Sequence, residues 1–340
     1  MSELDSSRIE GLSYVPITEE DALECRKKMK AIADNMETVI AGKRRVVVLT
    51  VLALVAGGHV LIEDVPGTGK TSLVSALAKS ISCDYSRIQF TPDVMPSDVT
   101  GFSIYNQKTG EFEFRKGAAM SNIVLADEIN RASAKTQSAM LEIMEEKQVT
   151  VDSNTYVMDS PYMVLATQNP IEQLGTYQLP EAQIDRFMIK FSMGYPSFKD
   201  EVRVIMTGEK SKQEISPCVT KEEIVQLTKD CRRVIVSREM SDYIVSIITA
   251  TRNNEDVRLG SSPRGSIALY ELSRAYALYQ GRNYVMPDDI KFLAPYVLGH
   301  RIILTHKAKT EKKTGTGIIE EIIKNVVVPS SPEEAEAEAL

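Results

Sequence analysis

At 340 residues, 43% of them hydrophobic, the chain is long enough for about two domains with a sizeable core. Its formal net charge of −7 argues against a protein that gains affinity by neutralising nucleic-acid phosphates, while leaving room for a local basic patch. The four cysteines (Cys25, Cys83, Cys218 and Cys231) and three histidines (His59, His300 and His306) have no metal-ligand spacing, the pattern of a reduced chain with incidental thiols.

Met1 to Glu10 is polar and lacks the apolar stretch of a signal peptide. The most apolar run, Val46 to Ala56, is shorter than the ~20 residues a membrane span needs, so it reads as a buried helix and the expected location is cytoplasmic. Residues 1–17 read as a loose arm. Thr18 with Asp21 signals a cap for a helix over about 19–38, with Leu23, Met29, Ile32, Met36 and Val39 at helical spacing, and Gly42 ends it.

The segment that follows carries the strongest signal. His59-Val60-Leu61-Ile62 reads as a buried strand, Glu63 to Thr71 (EDVPGTGKT) as a glycine loop, and Ser72 to Ala78 as a helix. Strand, glycine loop, Lys-Thr and helix form the setting in which a P-loop binds nucleotide. Gly67 and Gly69 let the backbone curl and aim its N–H groups at phosphate oxygens, with the helix N-terminus behind them. Lys70 would reach the β- and γ-phosphates and the Thr71 hydroxyl would hold Mg²⁺. Asp64 stands where the first glycine of the motif usually does, at a turn-starting position that Asp tolerates.

Tyr85 to Phe90 reads as a second strand, followed by a proline-rich loop over Thr91 to Asp98. Residues 102–116 form a hairpin around Lys108-Thr109-Gly110, with Phe112 and Phe114 on one strand face, where they either pack on the domain or meet a partner. Asn122 to Glu128 is a buried strand ending in two carboxylates; Ser133 to Glu146 is an amphipathic helix, and residues 148–157 a second hairpin. Tyr162 to Thr167 is another buried strand with Asn169 just past it; a short helix over Pro180 to Asp185 presents Arg186, and Met188 to Met193 is the next strand. From Tyr195 onward helices are predicted near 198–207, 221–231, 238–253, 263–279 and 287–300, then a linker over 307–317 and an acidic tail over Pro332 to Leu340.

ATP chemistry also needs a metal ligand, a base for water and positive charge for the transition state. Asp127 would hold Mg²⁺ through water, and Glu128 would act as general base. Asn169 is placed to orient the water, and Arg186 and Arg264 are the candidate cations for the γ-phosphate, Arg264 through a lid that turns it inward. Arg131 either faces a neighbouring subunit or serves as a plain surface residue.

Taken together, these segments resemble an AAA+ ATPase, and specifically the MoxR family. The matching stretches are Gly58 to Ile62, the P-loop, Gln89 to Asp93, Pro96 to Gly101, Ala126 to Ala132, Ala166 to Pro170, Leu179 to Phe187 and Ser262-Pro263-Arg264. They span about Val39 to His300, and as a set they are highly specific. The resemblance implies an α/β fold: a P-loop αβα sandwich with a parallel sheet over 18–194, followed by a smaller all-helical lid over 195–306 and a linker with acidic tail over 307–340. It makes 102–116 a helix-2 insert and 148–157 a pre-sensor-1 hairpin, Asn169 sensor 1, Arg186 an arginine finger and Arg264 sensor 2. It assigns ATP to Val39 and Ile40 (near the adenine), Pro66, Gly67, Thr68, Gly69, Lys70, Thr71 and Ser72, and Mg²⁺ to Thr71 and Asp127. Similar proteins form rings, usually hexamers, and commonly work with von Willebrand factor A domain proteins in maturation or assembly. The expected function is therefore an ATP-hydrolysing, chaperone-like remodelling factor. The rivals are a slow nucleotide-gated scaffold, a chelatase-like motor subunit and a DNA-acting motor.

Overall fold

The computed structural model describes residues 15–40, 42–64, 67–169, 177–207 and 215–329. Thr18 caps α1 (Glu19–Glu37) by accepting from the Asp21 N–H, a bond of a kind that contributes about 1 kcal/mol. Cys25, Met29, Ile32 and Met36 lie on the buried face of α1, whereas Leu23 stays exposed. α2 (Arg44–Val55) is buried from Val46 to Val55, which is why that run carries no charge.

β1 (Val60–Glu63) leads into α3 (Lys70–Ser80), and β2 (Tyr85–Gln89) into the short α4 (Pro96–Thr100), which begins within the stretch expected to be loop. β3 (Gly101–Asn106) and β4 (Glu111–Lys116) pair as an antiparallel hairpin. β5 (Ile123–Asp127) is followed by α5 (Ala134–Glu146), then by a second hairpin of β6 (Gln148–Val151) and β7 (Asn154–Val157). β8 (Met163–Gln168), α6 (Glu181–Ile184) and β9 (Ile189–Phe191) complete this part.

The five-stranded sheet has the order β2-β5-β8-β1-β9, and every neighbouring pair is parallel. Its central strands are unbroken apolar runs because both faces are covered. Alternate side chains feed two cores. Val60, Ile62, Leu125 and Leu165 join the helices α1, α2 and α3, whereas Leu61, Val124, Ala126 and Val164 join Met140 and Leu141 of α5. Because all strands run the same way, the chain segments after β1, β5 and β8 share one edge of the sheet, and those before β1 and β9 share the opposite edge. That polarity decides which candidate residues can meet.

After β9 the chain is mainly helical: α7 (Phe198–Thr207), α8 (Lys221–Cys231), α9 (Arg238–Asn253), α10 (Pro263–Gln280) and α11 (Pro287–Leu298). Thr220 and Glu223 exchange the bonds of a capping box at α8, and Gly281 closes α10 in the left-handed conformation (φ 80°). A small antiparallel ladder joins β10 (Val257–Leu259) to β11 (Ile303–Leu304). The linker expected over 307–317 is corrected by the structure, because α12 (His306–Thr310) and α13 (Gly315–Asn325) occupy it. Thr314 caps α13 through the Gly317 N–H, and Ile318, Ile319 and Ile322 are buried, each contributing roughly 1.5–3 kcal/mol. The helical part therefore runs on to Asn325, past the expected boundary at 306. Most of the expected arm and all of the expected acidic tail lie outside the described residues.

α10 packs on α1 and α2, and α11 on β9. Next to that contact Arg301, almost fully buried, staples the two parts. Its guanidinium donates to Asp185 Oδ1 (2.8 Å) and to the carbonyls of Phe187 (2.7 Å) and Met188 (3.0 Å). Ser262 Oγ donates to the other Asp185 oxygen (2.8 Å). No described helix is long and apolar enough to cross a membrane.

Candidate functional site

β1, β8 and β5 lie side by side, so the P-loop, Asn169 and the Asp127-Glu128 pair all emerge at the same edge of the sheet. Gly67 (φ 84°) and Gly69 (φ 92°) are both left-handed, a conformation that costs a residue with a Cβ about 1–2 kcal/mol. A Cβ at Gly67 would meet nothing within 4 Å, and one at Gly69 would meet only Met193 Cε at 3.9 Å. At both positions it is therefore the backbone conformation, not crowding, that calls for glycine. Pro66 lies outside the described residues. Lys70 is buried and its Nζ donates to the Asp64 carbonyl (3.2 Å), while Thr71 and Ser72 are exposed in the first turn of α3.

A cavity of about 390 Å³ opens here, lined by Gly67, Gly69, Lys70, Thr71, Arg87, Gln89, Asp127 and Glu128. Its oxygen donors, the Thr71 hydroxyl and the two carboxylates, suit a hard cation such as Mg²⁺. Thr167, fully buried, donates from Oγ1 to Asp127 Oδ1 (2.7 Å) and accepts from the Glu128 N–H (2.8 Å). One hydroxyl thereby fixes the carboxylate and the turn after it. Glu128 itself is left-handed (φ 57°, ψ 48°), a strained state for a residue with a side chain and one common at functional sites. Arg87 donates to Asp127 Oδ2 (2.7 Å) and to Gln89 Oε1 (2.7 Å). Gln89 Nε2 and Arg131 each donate to Glu128 Oε2 (3.0 Å). Each Asp127 oxygen accepts one hydrogen bond from protein, which leaves acceptor capacity for metal-bound water. Arg131, read as either a neighbour-facing or a surface residue, is paired with Glu128 of its own chain.

Asn169 is buried just after β8, in a register that sets Gln168 beside Glu63. Asp64 does more than start a turn. Its Oδ2 accepts from the Gly194 N–H (2.7 Å), and Lys43 Nζ in turn holds the carbonyls of Met193, Gly194 and Tyr195. These bonds tie the root of the P-loop to the turn after α1, where Val39 is half-buried and Ile40 is buried in the core.

Arg186 and Arg264 lie elsewhere. Arg186 Nη2 donates to Glu145 Oε2 (2.9 Å), and Arg264 Nη2 donates to Glu145 Oε1. Around them a cavity of about 250 Å³ is lined by Gly57, Gly58 and His59, which precede β1, and by Met188, which precedes β9. This is the edge of the sheet opposite the P-loop. The expectation was a lid that turns Arg264 inward, with the subunit whose nucleotide it meets left open. α10 is anchored beside the Arg301–Asp185 staple, and that brings Arg264 to Arg186. Nor does Arg186 pair with its neighbour Asp185, whose two oxygens go to Arg301 and Ser262. Arg186 Nε is buried without a partner among the described residues.

Arg87, Gln89, Thr167, Glu145 and Arg301 are contributors that sequence reading did not single out. Arg87 and Gln89 fall on one face of β2 by simple alternation, and a threonine closing an apolar run is a visible cue to Thr167. Glu145 and Arg301 carry no local signal.

His59 fixes the end of α5 that bears Glu145. Its Nδ1 accepts from the Val164 N–H (3.0 Å) and its Nε2 donates to the Met144 carbonyl (2.9 Å), a pairing only the neutral ring can make. Burial lowers its pKa from 6.5 to about 4. Between those values the unfolded chain binds a proton that the folded chain refuses, so stability is lost as pH falls from 6.5 towards 4, by about 3 kcal/mol in all. Denaturant unfolding should show the wild type losing about 2 kcal/mol more than His59→Gln between pH 7 and pH 5. Parallel profiles for the two proteins would refute the assignment. His300, also depressed by burial, contributes with the same sign to both proteins and cancels.

Residues 59–189 match the ATPase family associated with various cellular activities (AAA), and residues 249–322 match the AAA lid domain. The chain is 53% identical to the uncharacterised protein YeaC of Bacillus subtilis, over 87% of this chain and 93% of that protein. It is 38% identical to chaperone MoxR1 of Mycobacterium tuberculosis, over 87% of this chain and 81% of that one. A crystal structure of a chain from Cytophaga hutchinsonii assigned to the ATPases superposes with a TM-score of 0.85 at 41% identity, covering 92% of this chain and 98% of that one.

Proposed function

The chain belongs to the MoxR family of AAA+ ATPases, and from that premise we propose that it hydrolyses ATP between subunits of a homo-oligomeric ring, a hexamer, to remodel or mature partner protein complexes. The observation that carries this reading is the split of the site. The cradle, the carboxylates and Asn169 share one edge of the sheet, and the two cations share the other. One subunit cannot assemble both halves; two subunits placed head to tail can.

In this reading Lys70 and the loop N–H groups bind the β- and γ-phosphates, with Val39 and Ile40 near the adenine. Thr71 and Asp127 hold Mg²⁺, which when bound neutralises charge on the phosphate oxygens. Glu128 takes the proton of the attacking water, and Asn169 orients that water. Arg186 and Arg264 come from the neighbour and stabilise charge on the γ-phosphate. The remodelling role draws support from the relative named a chaperone. The two inserted hairpins support it too. Phe114 stacks on Tyr156 (ring centroids 3.9 Å apart), joining the hairpins, whereas Phe112 is 74% exposed beside Tyr105 and offers an apolar contact to a client or to a von Willebrand factor A domain partner.

The scaffold reading has one observation in its favour, since Asp127 and Glu128 are both engaged by Arg87, Gln89 and Arg131. Turnover decides between the two. Phosphate release should accompany ATP binding in the wild type. Lys70→Ala should bind a fluorescent ATP analogue about 10–100-fold more weakly, as loss of a charge-assisted phosphate contact predicts. Tight binding without phosphate release would leave the scaffold reading standing, and unchanged binding in Lys70→Ala would remove Lys70 from the cradle.

A further inference from the structure

We infer that Glu145 is a positioning residue that gathers Arg186 and Arg264 into one pair and presents them together to the neighbouring subunit's nucleotide. The inference rests on the proposed ring site and adds to it the group that couples its two cations.

The geometry is specific. Arg186 arrives from the turn between α6 and β9, and Arg264 from the first turn of α10, 78 residues later in the chain by the difference of their numbers. Each guanidinium takes a different oxygen of the one Glu145 carboxylate. Two guanidiniums this close repel one another, and a shared carboxylate between them is what makes the pair stable. Asp185, the other carboxylate at this spot, is unable to substitute because Arg301 and Ser262 already hold its two oxygens. Glu145 is also well anchored. It lies in the last turn of α5, where His59 holds the adjacent Met144 carbonyl and Lys147 ends the helix in a left-handed cap (φ 50°). One negative and two positive side chains leave the cluster net positive, and all three remain partly exposed. An approaching triphosphate would therefore meet both cations at once, already oriented. The pair also spans two parts of the chain, so it forms only when the first turn of α10 comes to the last turn of α5, as the Arg264–Glu145 bond shows here.

The test uses mixed rings of full-length subunits. Acceptor subunits carry Arg186→Ala and keep the P-loop, Asp127 and Glu128. Donor subunits carry Glu128→Gln, so they cannot turn over ATP but still offer both arginines. A second donor carries Glu128→Gln with Glu145→Ala. The first donor should restore turnover to the acceptor, and the second should restore it about 10–100-fold less well, as expected for misplaced catalytic groups. Equal restoration by the two donors overturns the role of Glu145 and leaves the ring site intact. No restoration by the first donor, in mixed rings verified by native mass measurement, overturns the ring site and this inference with it. Nucleotide binding to the second donor's own P-loop, at the far edge of the sheet, should match that of the first donor, which a general folding defect would not allow. If Glu145→Ala lowers the melting temperature, Glu145→Gln serves instead. It keeps the size and one acceptor oxygen, and should restore turnover to a level between the two donors; a level equal to the first donor's would overturn the need for a shared carboxylate.

Discussion

Homogeneous Arg186→Ala rings should lose about 10³–10⁵ in turnover, and mixing them with Glu128→Gln rings, themselves nearly inactive, should bring activity back. The size follows from what arginine fingers contribute when a planar, permanently charged guanidinium meets the charge building on γ-phosphate oxygens. The recovery follows from the position of Arg186. It precedes β9 and contacts Glu145 at the edge of the sheet that holds Gly57, Gly58 and His59. The P-loop follows β1 at the other edge. A guanidinium at that edge lies away from its own P-loop, which is why the proposed site takes it from the next copy. In a mixed ring an Arg186→Ala site lying against a Glu128→Gln neighbour regains a full set of groups. If mixed rings form by native mass measurement and stay inactive, Arg186 acts in some other way. Arg186→Lys separates charge from shape, since lysine keeps the charge but lacks the flat fork, and it should recover only a small part of the rate.

How much of this was legible in the sequence depends on the distance over which each feature is encoded. The P-loop, the strand ending in Asp127-Glu128 and the helix caps at Thr18 and Thr220 are written within a few consecutive residues, and local chemistry suffices to read them. The buried strands were legible for a similar reason, since unbroken runs such as Ile123 to Ala126 report burial on both faces, whereas their parallel pairing was what the family resemblance implied. Glu145, Arg186 and Arg264 are a different case. Arg186 and Arg264 are picked out singly as candidate cations and Glu145 not at all, and no spacing announces that packing brings the three together on one carboxylate. For Arg264, a helix start after proline shows that an N-terminus is there but not which edge of the sheet it will face. Residues 315–325 were misread for a compositional reason. Thr-Gly-Thr-Gly looks like a linker, but Thr314 is a cap and Ile318, Ile319 and Ile322 form the apolar stripe behind it. That stripe was visible and was outweighed by the glycines.

Glu128→Gln should abolish turnover, by about 10²–10⁴, while keeping nucleotide bound. An amide cannot accept the proton of the attacking water, so the base is lost while the shape of the side chain is kept. The surroundings of Glu128 bear on the second half of the expectation. Its backbone is set by the Thr167 hydroxyl, which the substitution does not touch. The side-chain oxygen that receives Gln89 and Arg131 remains an acceptor in glutamine, so the turn should hold its left-handed conformation. Removing one negative charge from a cavity that receives a polyphosphate favours binding, and affinity for ATP should be equal to or tighter than that of the wild type. A ring that binds ATP and cannot discharge it should stay in its ATP-bound arrangement, and a pull-down with this variant should retain partners that the wild type releases. Phosphate release within tenfold of the wild type would remove Glu128 from the role of base and direct attention to Asp127. Weaker ATP binding would point instead to a structural role for the Glu128–Arg131 pair, which Arg131→Ala would then reproduce.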